Sequence, residues 1–336
     1  MTDAQSTMNS PAANPLQRIT RLAPSPTGAL HLGNARTFLI NWAMARANGW
    51  KIILRIEDLD GPRIKAGAAQ QAIEDLQWLG IDWDTGPFYQ RPDLDLYAAA
   101  LSRLSNAGLA YGCSCTRRDL QTALSAPHAD EHDLRYPGTC RGRSWSVTDL
   151  QGQPMAGRLV VDPGSIAFHD EIAGPQRIDV QAQTGDFAIW TKAGLPAYQM
   201  AVVMDDDRQG VTDVVRGDDL IPSTARQILV YQALEAVGLR QKGKPLPRWW
   251  HLPLVVGEDG RRLAKRHGDS RIAWYRSQGV SAERIIGLIA SWSGVISAPF
   301  PMSAAEFRDR LDLSRLPLGP VVFTTEMHQW LLSFIP

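Results

Sequence analysis

The side chains whose types and spacing could do chemistry lie in separate stretches of the sequence. His31 opens a helical pattern directly after the loop A-P-S-P-T-G-A-L, and Arg21 stands at the far end of that loop. A strand that runs into a Pro/Gly loop and then opens a helix presents unpaired N–H groups and a positive dipole end, which suits an anion. Glu57, Asp58 and Asp60 follow the apolar run K-I-I-L-R-I. Carboxylates at the end of a buried strand lie where open α/β sheets place their ligands. Cys113 and Cys115 form C-S-C, and Cys140 closes Y-P-G-T-C. Thiolates two apart in a loop, with a third returning later, suit tetrahedral zinc and lack one ligand. Tyr136, His128 and His132 are candidates for it, and the spacing equally fits three cysteines without metal. A basic run, Arg261, Arg262, Lys265 and Arg266, follows a glycine turn. Composition alone makes it a solvated loop.

The elements that must position these groups are readable from periodicity. Arg18 to Leu22 reads as a short strand. Leu32, Ala35, Phe38 or Leu39, and Trp42 recur at helical steps until Asn48-Gly49. Lys51 to Ile56 is a buried strand, helices follow over about 65–79 and from Leu94 to Leu104, and strand-like runs lie between Gly157 and Gln183. The stretch from Asp186 to Asp206 reads as a hairpin around Ala193-Gly194 that leads into a core strand. V-T-D-V-V-R-G-D-D-L is a further strand ending in a charged turn, before a helix that starts near Pro222. On this reading Tyr198 packs in the core and Arg216 pairs with Asp218 or Asp219. His251 to Val256 is a strand, and Ile285, Leu288, Ile289 and Trp292 mark an amphipathic helix.

At 336 residues the chain has room for about two or three domains. Lys plus Arg equals Asp plus Glu at 35 each, so the net charge is zero, which argues against a diffuse electrostatic grip on nucleic acid but not against a local basic face. No apolar run is long enough to span a bilayer and no signal-peptide core opens the chain. Three cysteines are too few and too odd for a disulfide framework. The expectation is a soluble cytoplasmic monomer, without membrane contact, whose first 17 residues form a flexible tail.

The stretch P-S-P-T-G-A-L-H-L-G-N resembles the HIGH signature of class I aminoacyl-tRNA synthetases, in the form found in the glutamyl group. R-I-E-D-L-D and the Arg262-Leu263-Ala264-Lys265-Arg266 run are similar to that group's strand end and KMSKS loop. In the loop Arg262 keeps the charge of the usual lysine, Ala264 loses a serine hydroxyl, and Lys265 is retained. The resemblance implies an α/β, Rossmann-type nucleotide-binding fold in two halves, 18–110 and 184–250. Between them, 111–183 would be an inserted zinc-binding subdomain, and 251–336 would hold the KMSKS-like loop and stem-contact-like helices. It also implies site residues. Arg21, Leu22, Ala23, Pro24, Ser25, Glu57, Tyr198 and Arg216 would bind glutamate. Glu57 would take the α-amino group, and Arg216 would clamp the side-chain carboxylate with a two-pronged guanidinium. His31, Gly33, Asn34 and Lys265 would bind ATP, with His31 and Lys265 as the catalytic pair. One structural zinc would sit on Cys113, Cys115, Tyr136 and Cys140.

C-x-C followed by Y-x-x-x-C, and no helical anticodon-binding region beyond the stem-contact-like helices, resemble the branch of the group that glutamylates queuosine in tRNA(Asp). The implied reaction is attack of the glutamate α-carboxylate on the α-phosphate of ATP, with Mg2+ on the phosphates and no tRNA required. Transfer to the queuosine base at the wobble position would follow. A glutamyl-tRNA synthetase that charges a tRNA 3' end, and a non-catalytic tRNA- or glutamate-binding paralogue, are the alternatives.

Overall fold

The computed structural model describes residues 17–116, 118–119, 135–142, 154–261, 263 and 270–333. The expected tail over 1–17 lies outside them except for its last residue. The first strand, β1 (Ile19–Leu22), runs through a Pro/Gly loop into α1 (Leu32–Ala47) and returns as β2 (Lys51–Ile56), parallel to β1 with Leu22 opposite Leu54. This is the right size for a crossover unit, and its apolar side chains are buried on both faces, as in a parallel sheet covered by helices. Helix α1 ends at Asn48, followed by Gly49 at φ 65°, where only glycine turns without strain.

After α2 (Ala68–Trp78), β3 (Thr85–Tyr89) pairs with β2, and α3 (Leu94–Asn106) leads to a short sheet of β4 (Ala110–Cys113), β5 (Ala156–Leu159) and β8 (Ala188–Trp190). Strands β6 (Ile166–Asp170) and β7 (Gly174–Ile178) were expected to belong with the insertion. They instead extend the main sheet, β6 lying parallel to β10 (Arg248–Leu252). Among the described residues the main sheet has the order β3-β2-β1-β9-β10-β6-β7, with β9 spanning Asp213–Gly217.

The second correction concerns Asp186 to Asp206. Trp190 and Pro196 do bridge as in a hairpin, but the segment that follows is a helix, α4 (Tyr198–Arg208), rather than a strand. Its core-facing residues include the consecutive run Met200, Ala201, Val202 and Val203, all buried. A run buried all round carries no period by which to tell helix from strand. Helix α5 (Ile221–Ala236) has Pro222 in its first turn, where a missing N–H costs nothing.

The remainder packs on the outside of α1. Helices α6 (Ile272–Ser277), α7 (Ala282–Trp292), α8 (Ala304–Arg310) and α9 (Thr325–Leu332) bury Ile272, Ile285, Leu288 and Phe307 against it and one another. A two-residue strand β11 (Val255–Val256) pairs with β12 (Val321–Val322), tying this region to the end of β10. No described helix is long and apolar enough to cross a membrane.

Candidate functional site

The strand order reverses direction between β1 and β9, and open α/β sheets bind ligands outside the carboxyl ends of their strands at such a point. A cleft of about 890 Å³ opens there. It is lined by Arg21, Ala23, Pro24 and Ser25 after β1, by His31, Gly33 and Asn34 at the start of α1, and by Glu57, Tyr198 and Arg216. Leu22 is fully buried in the hydrophobic core and does not line the cleft.

At the helix end of the cleft, His31 is the N-cap residue of α1. Its Nδ1 accepts from the Asn34 N–H at 3.3 Å, while the Asn34 side-chain oxygen accepts from the His31 N–H at 3.2 Å. This reciprocal pair satisfies two donors at a helix start and fixes the imidazole. With Nδ1 accepting, the ring of neutral His31 carries its proton on Nε2. Helix dipole and that proton both favour an anion here. Backbone bonds hold the position from a distant part of the chain: Leu32 N–H donates to the Ser270 carbonyl at 2.9 Å, and Ile272 N–H to the Leu30 carbonyl at 2.8 Å.

At the β2 end, Glu57 receives a hydrogen bond from Arg55 at 3.4 Å, and its backbone N–H donates to the Pro24 carbonyl at 3.1 Å. Burial pushes the Glu57 carboxyl up, against the pull of Arg55 and Arg21. Arg55 itself is fully buried and donates to Asp206 at 2.7 Å and Gln209 at 2.8 Å. The same Asp206 lies 3.4 Å from Arg21 Nε. Arg55 and Asp206 escaped the sequence reading. The signal was a charged residue inside an apolar strand and a triple aspartate, Asp205 to Asp207, at the end of a segment taken for another strand.

Arg216 projects from β9, 5% exposed. It does not pair with Asp218 or Asp219 as its neighbours suggested. Its Nε donates to His251 Nε2 at 3.0 Å, Nη1 to the Tyr198 hydroxyl at 3.4 Å, and Nη2 to Thr224 Oγ1 at 2.6 Å and the Leu220 carbonyl at 3.3 Å. A guanidinium has five N–H groups, so these bonds leave one, on Nη1. That N–H and the Tyr198 hydroxyl stand together where Arg216 borders the cleft. Nor does Tyr198 pack in the core: it is 40% exposed, on the cleft wall.

The basic loop lies largely outside the described residues, Lys265 and Arg262, Ala264 and Arg266 included. Its approach is well defined. Arg36, buried in α1, donates to the Pro253 carbonyl at 2.6 Å, and a turn closes with Gly257 N–H donating to the Arg261 carbonyl at 2.8 Å.

Some distance along the chain, the Sγ atoms of Cys113, Cys115 and Cys140 all lie within 4.8 Å of one another, Cys115 and Cys140 at 3.5 Å. Tyr136 Oη is 3.5 Å from Cys113 Sγ and accepts from the Cys140 N–H at 2.7 Å. Tetrahedral zinc with sulfur at about 2.3 Å needs S···S edges of about 3.8 Å and S···O edges of about 3.5 Å. The donor set fits. His128 and His132, the other candidates for the fourth ligand, lie outside the described residues. Burial raises the Cys115 thiol to about 11; at Cys140 burial is outweighed by hydrogen bonds from Tyr136 and Cys115, and the thiol falls to about 7.

Residues 18–297 match the family described as tRNA synthetases class I (E and Q), catalytic domain. The chain is 44% identical over 318 residues to a Glutamyl-Q tRNA(Asp) synthetase from Symbiobacterium thermophilum, covering 91% of this chain and 96% of that protein. It is 37% identical to a Glutamate--tRNA ligase from Syntrophobacter fumaroxidans, covering 93% of this chain and 64% of that one. A crystal structure of a glutamate tRNA ligase from Elizabethkingia meningosepticum, in complex with its amino acid, superposes with a TM-score of 0.75 at 26% identity, over 94% of this chain and 68% of that chain. With a sheet that switches direction at the cleft, and with a family match that spans both halves of it, the chain belongs to the class I tRNA synthetases of the E and Q type.

Proposed function

We propose that this chain activates L-glutamate with ATP and passes the glutamyl group to the queuosine base of tRNA(Asp). The observation that carries the first half is the polarity of the cleft: a buried guanidinium with Tyr198 on one wall and the Glu57 carboxylate on another. Glutamate offers the matching groups, a side-chain carboxylate and an α-ammonium. With both ends held, its α-carboxylate is the group left to react. It is already ionised at pH 7, so no general base is required. A carboxylate oxygen attacks the α-phosphorus, the bond to the bridging oxygen breaks, and pyrophosphate leaves with the electron pair. The protein's part is alignment and stabilisation of charge, with His31 Nε2–H and Lys265 on the phosphates. Mg2+ would shield the phosphate charge. Arg21, Ala23, Pro24 and Ser25 would form the amino-acid wall, Leu22 serving only as its core anchor, while Gly33 and Asn34 let ATP approach the helix start. A structural zinc on Cys113, Cys115, Tyr136 and Cys140 would pin the segment between β4 and β5.

The second half rests on the relatives: identity is higher to the Glutamyl-Q tRNA(Asp) synthetase than to the Glutamate--tRNA ligase, and the alignment spans nearly all of the former. The cytoplasm, where tRNA and ATP are held, is the compartment this reading requires. The test has two arms. Glutamate-dependent exchange of pyrophosphate into ATP is expected without tRNA. Radiolabelled glutamate is then expected on queuosine-containing tRNA(Asp) and not on the queuosine-free form. Label on queuosine-free tRNA(Asp), or label that survives mild base or is released with the 3'-terminal nucleoside on nuclease digestion, overturns the acceptor. Absence of exchange under all conditions overturns activation itself.

A further inference from the structure

Three side chains stand in a row across three neighbouring parallel strands. In register, Asp170 on β6 lies beside Trp249 on β10, and His251 on β10 lies opposite Arg216 on β9. All three are buried, at 0%, 1% and 5% exposure, and only Arg216 reaches the cleft. His251 Nδ1 is 2.6 Å from an Asp170 oxygen, and His251 Nε2 is 3.0 Å from Arg216 Nε.

The chemistry of the partners fixes the protons. A guanidinium nitrogen donates and never accepts, so His251 Nε2 must present its lone pair to Arg216. The ring proton of the neutral imidazole is then on Nδ1, donated to Asp170. The carboxylate is itself held by the N–H groups of Ile172 at 3.0 Å and Ala173 at 2.7 Å. Thr224 Oγ1, which accepts from Arg216 Nη2, lies 3.3 Å from the same His251 Nε2. The buried imidazole sits beside a fixed cation, and both burial and Arg216 keep it from gaining a second proton, against Asp170.

We propose that Asp170 and His251 are positioning residues that fix the orientation of Arg216, and through it the selection of a substrate with a side-chain carboxylate. Neither touches the substrate. Asp170 selects the histidine tautomer, the tautomer supplies the acceptor for Nε, and the guanidinium is left with a single N–H beside the Tyr198 hydroxyl. Without that acceptor the buried Nε–H loses its partner, and the guanidinium, still tethered by Thr224 and Leu220, shifts to recover one, so that its charge remains in the cleft while its geometry changes. This inference rests on the proposed use of glutamate.

The variant Asp170→Asn tests it with little change of shape. The amide oxygen can still take the Ile172 and Ala173 N–H groups, which turns its NH2 toward His251 Nδ1. The imidazole must then accept at Nδ1 and carry its proton on Nε2, facing the Arg216 N–H. A wrong tautomer held in good geometry is strongly damaging in a Ser-His-Asp triad. Here the expected effect, in pyrophosphate–ATP exchange, is a rise of about 10- to 100-fold in KM for glutamate with KM for ATP unchanged. His251→Leu should behave alike, whereas His251→Gln, whose Oε1 can accept from Arg216 Nε, should stay within a few fold of the unaltered protein. Nitrogen-15 NMR of the unaltered protein should show His251 protonated at Nδ1 at neutral pH, a readout independent of any variant's folding. Folded Asp170→Asn and His251→Leu proteins with unchanged KM for glutamate, or a ring protonated at Nε2, would overturn the proposal. If the unaltered protein exchanges no pyrophosphate with glutamate, the fault lies with the proposed substrate, and the tautomer measurement still decides the pairing.

Discussion

A β-carbon on Gly33 would lie 3.1 Å from both Cε1 and Nδ1 of the His31 ring. Glycine at this position suits the histidine, since the imidazole that caps α1 folds back over the turn that Gly33 occupies. Gly33→Ala should shift the ring by a few tenths of an ångström and weaken its cap without disturbing the sheet. Because even small misplacement of a positioned group is costly, kcat for adenylation should fall by about threefold to tenfold. Melting temperature should change little. Exchange kinetics beside a thermal melt provide the check, and an unchanged kcat would remove His31 from the reaction.

Glu57 gives the acid limb a definite sign. Burial raises its pKa above the ordinary glutamate value, so it gains a proton at a higher pH than it would in the unfolded chain. An α-ammonium needs the ionised form, so KM for glutamate should rise as pH falls through the raised pKa. Stability moves the other way. In the window between the unfolded and folded pKa values the native state binds more protons, so this group's contribution is present at low pH and is lost as pH rises. Glu57→Gln should flatten both dependences, which glutamate titrations and urea melts across pH 4–8 can measure.

Arg216→Ala should abolish glutamate-dependent exchange while leaving ATP binding intact, because the guanidinium is engaged with Tyr198, Thr224 and His251 at the amino-acid side of the cleft. Isothermal titration with a non-hydrolysable ATP analogue separates the two. Retained glutamate turnover would assign side-chain recognition elsewhere.

Arg55 is a structural counterpart. It has no exposed surface and bridges Asp206 on α4 to the end of β2. Removing one member of such a buried ionic group leaves its partners charged and desolvated. Arg55→Met should therefore cost about 3–5 kcal/mol, read from chemical denaturation. Asp206→Asn in the same background should recover part of that loss.

Metal content offers another check. The protein purified without chelator should carry one zinc per chain. Tyr136→Phe should weaken zinc binding by about 10- to 100-fold, since the phenol both completes the donor set and accepts the Cys140 N–H. Cys115→Ala should abolish stoichiometric binding. Elemental analysis and a chelator-dependent fall in melting temperature report this. A metal-free native protein with an unchanged melt would make the three thiols a plain buried cluster.

Much of this arrangement was legible along the chain because the cleft is built from consecutive signals. The β1 loop and His31 lie within one crossover, and Glu57 follows the next strand. What could not be read depends on long-range pairing. Asp170 and His251 are separated by 81 positions and meet only because β6 joins the sheet beside β10. Strands β6 and β7 look the same on paper whether they belong to an insertion or to the main sheet. Helix α4 was misread for a local reason, a buried run without period, and that error hid Asp206. The partners that hold Arg216, Thr224 and His251 among them, come from other elements of the fold, which no sequence pattern records.

The backbone bonds from Leu32 to Ser270 and from Ile272 to Leu30 flank a bridge between His31 and Arg271. More than 200 residues of sequence separate the two ends of that bridge. It fastens the start of α1 to the start of α6, so the entropy of bringing these distant segments together is spent when the protein folds, before any nucleotide arrives.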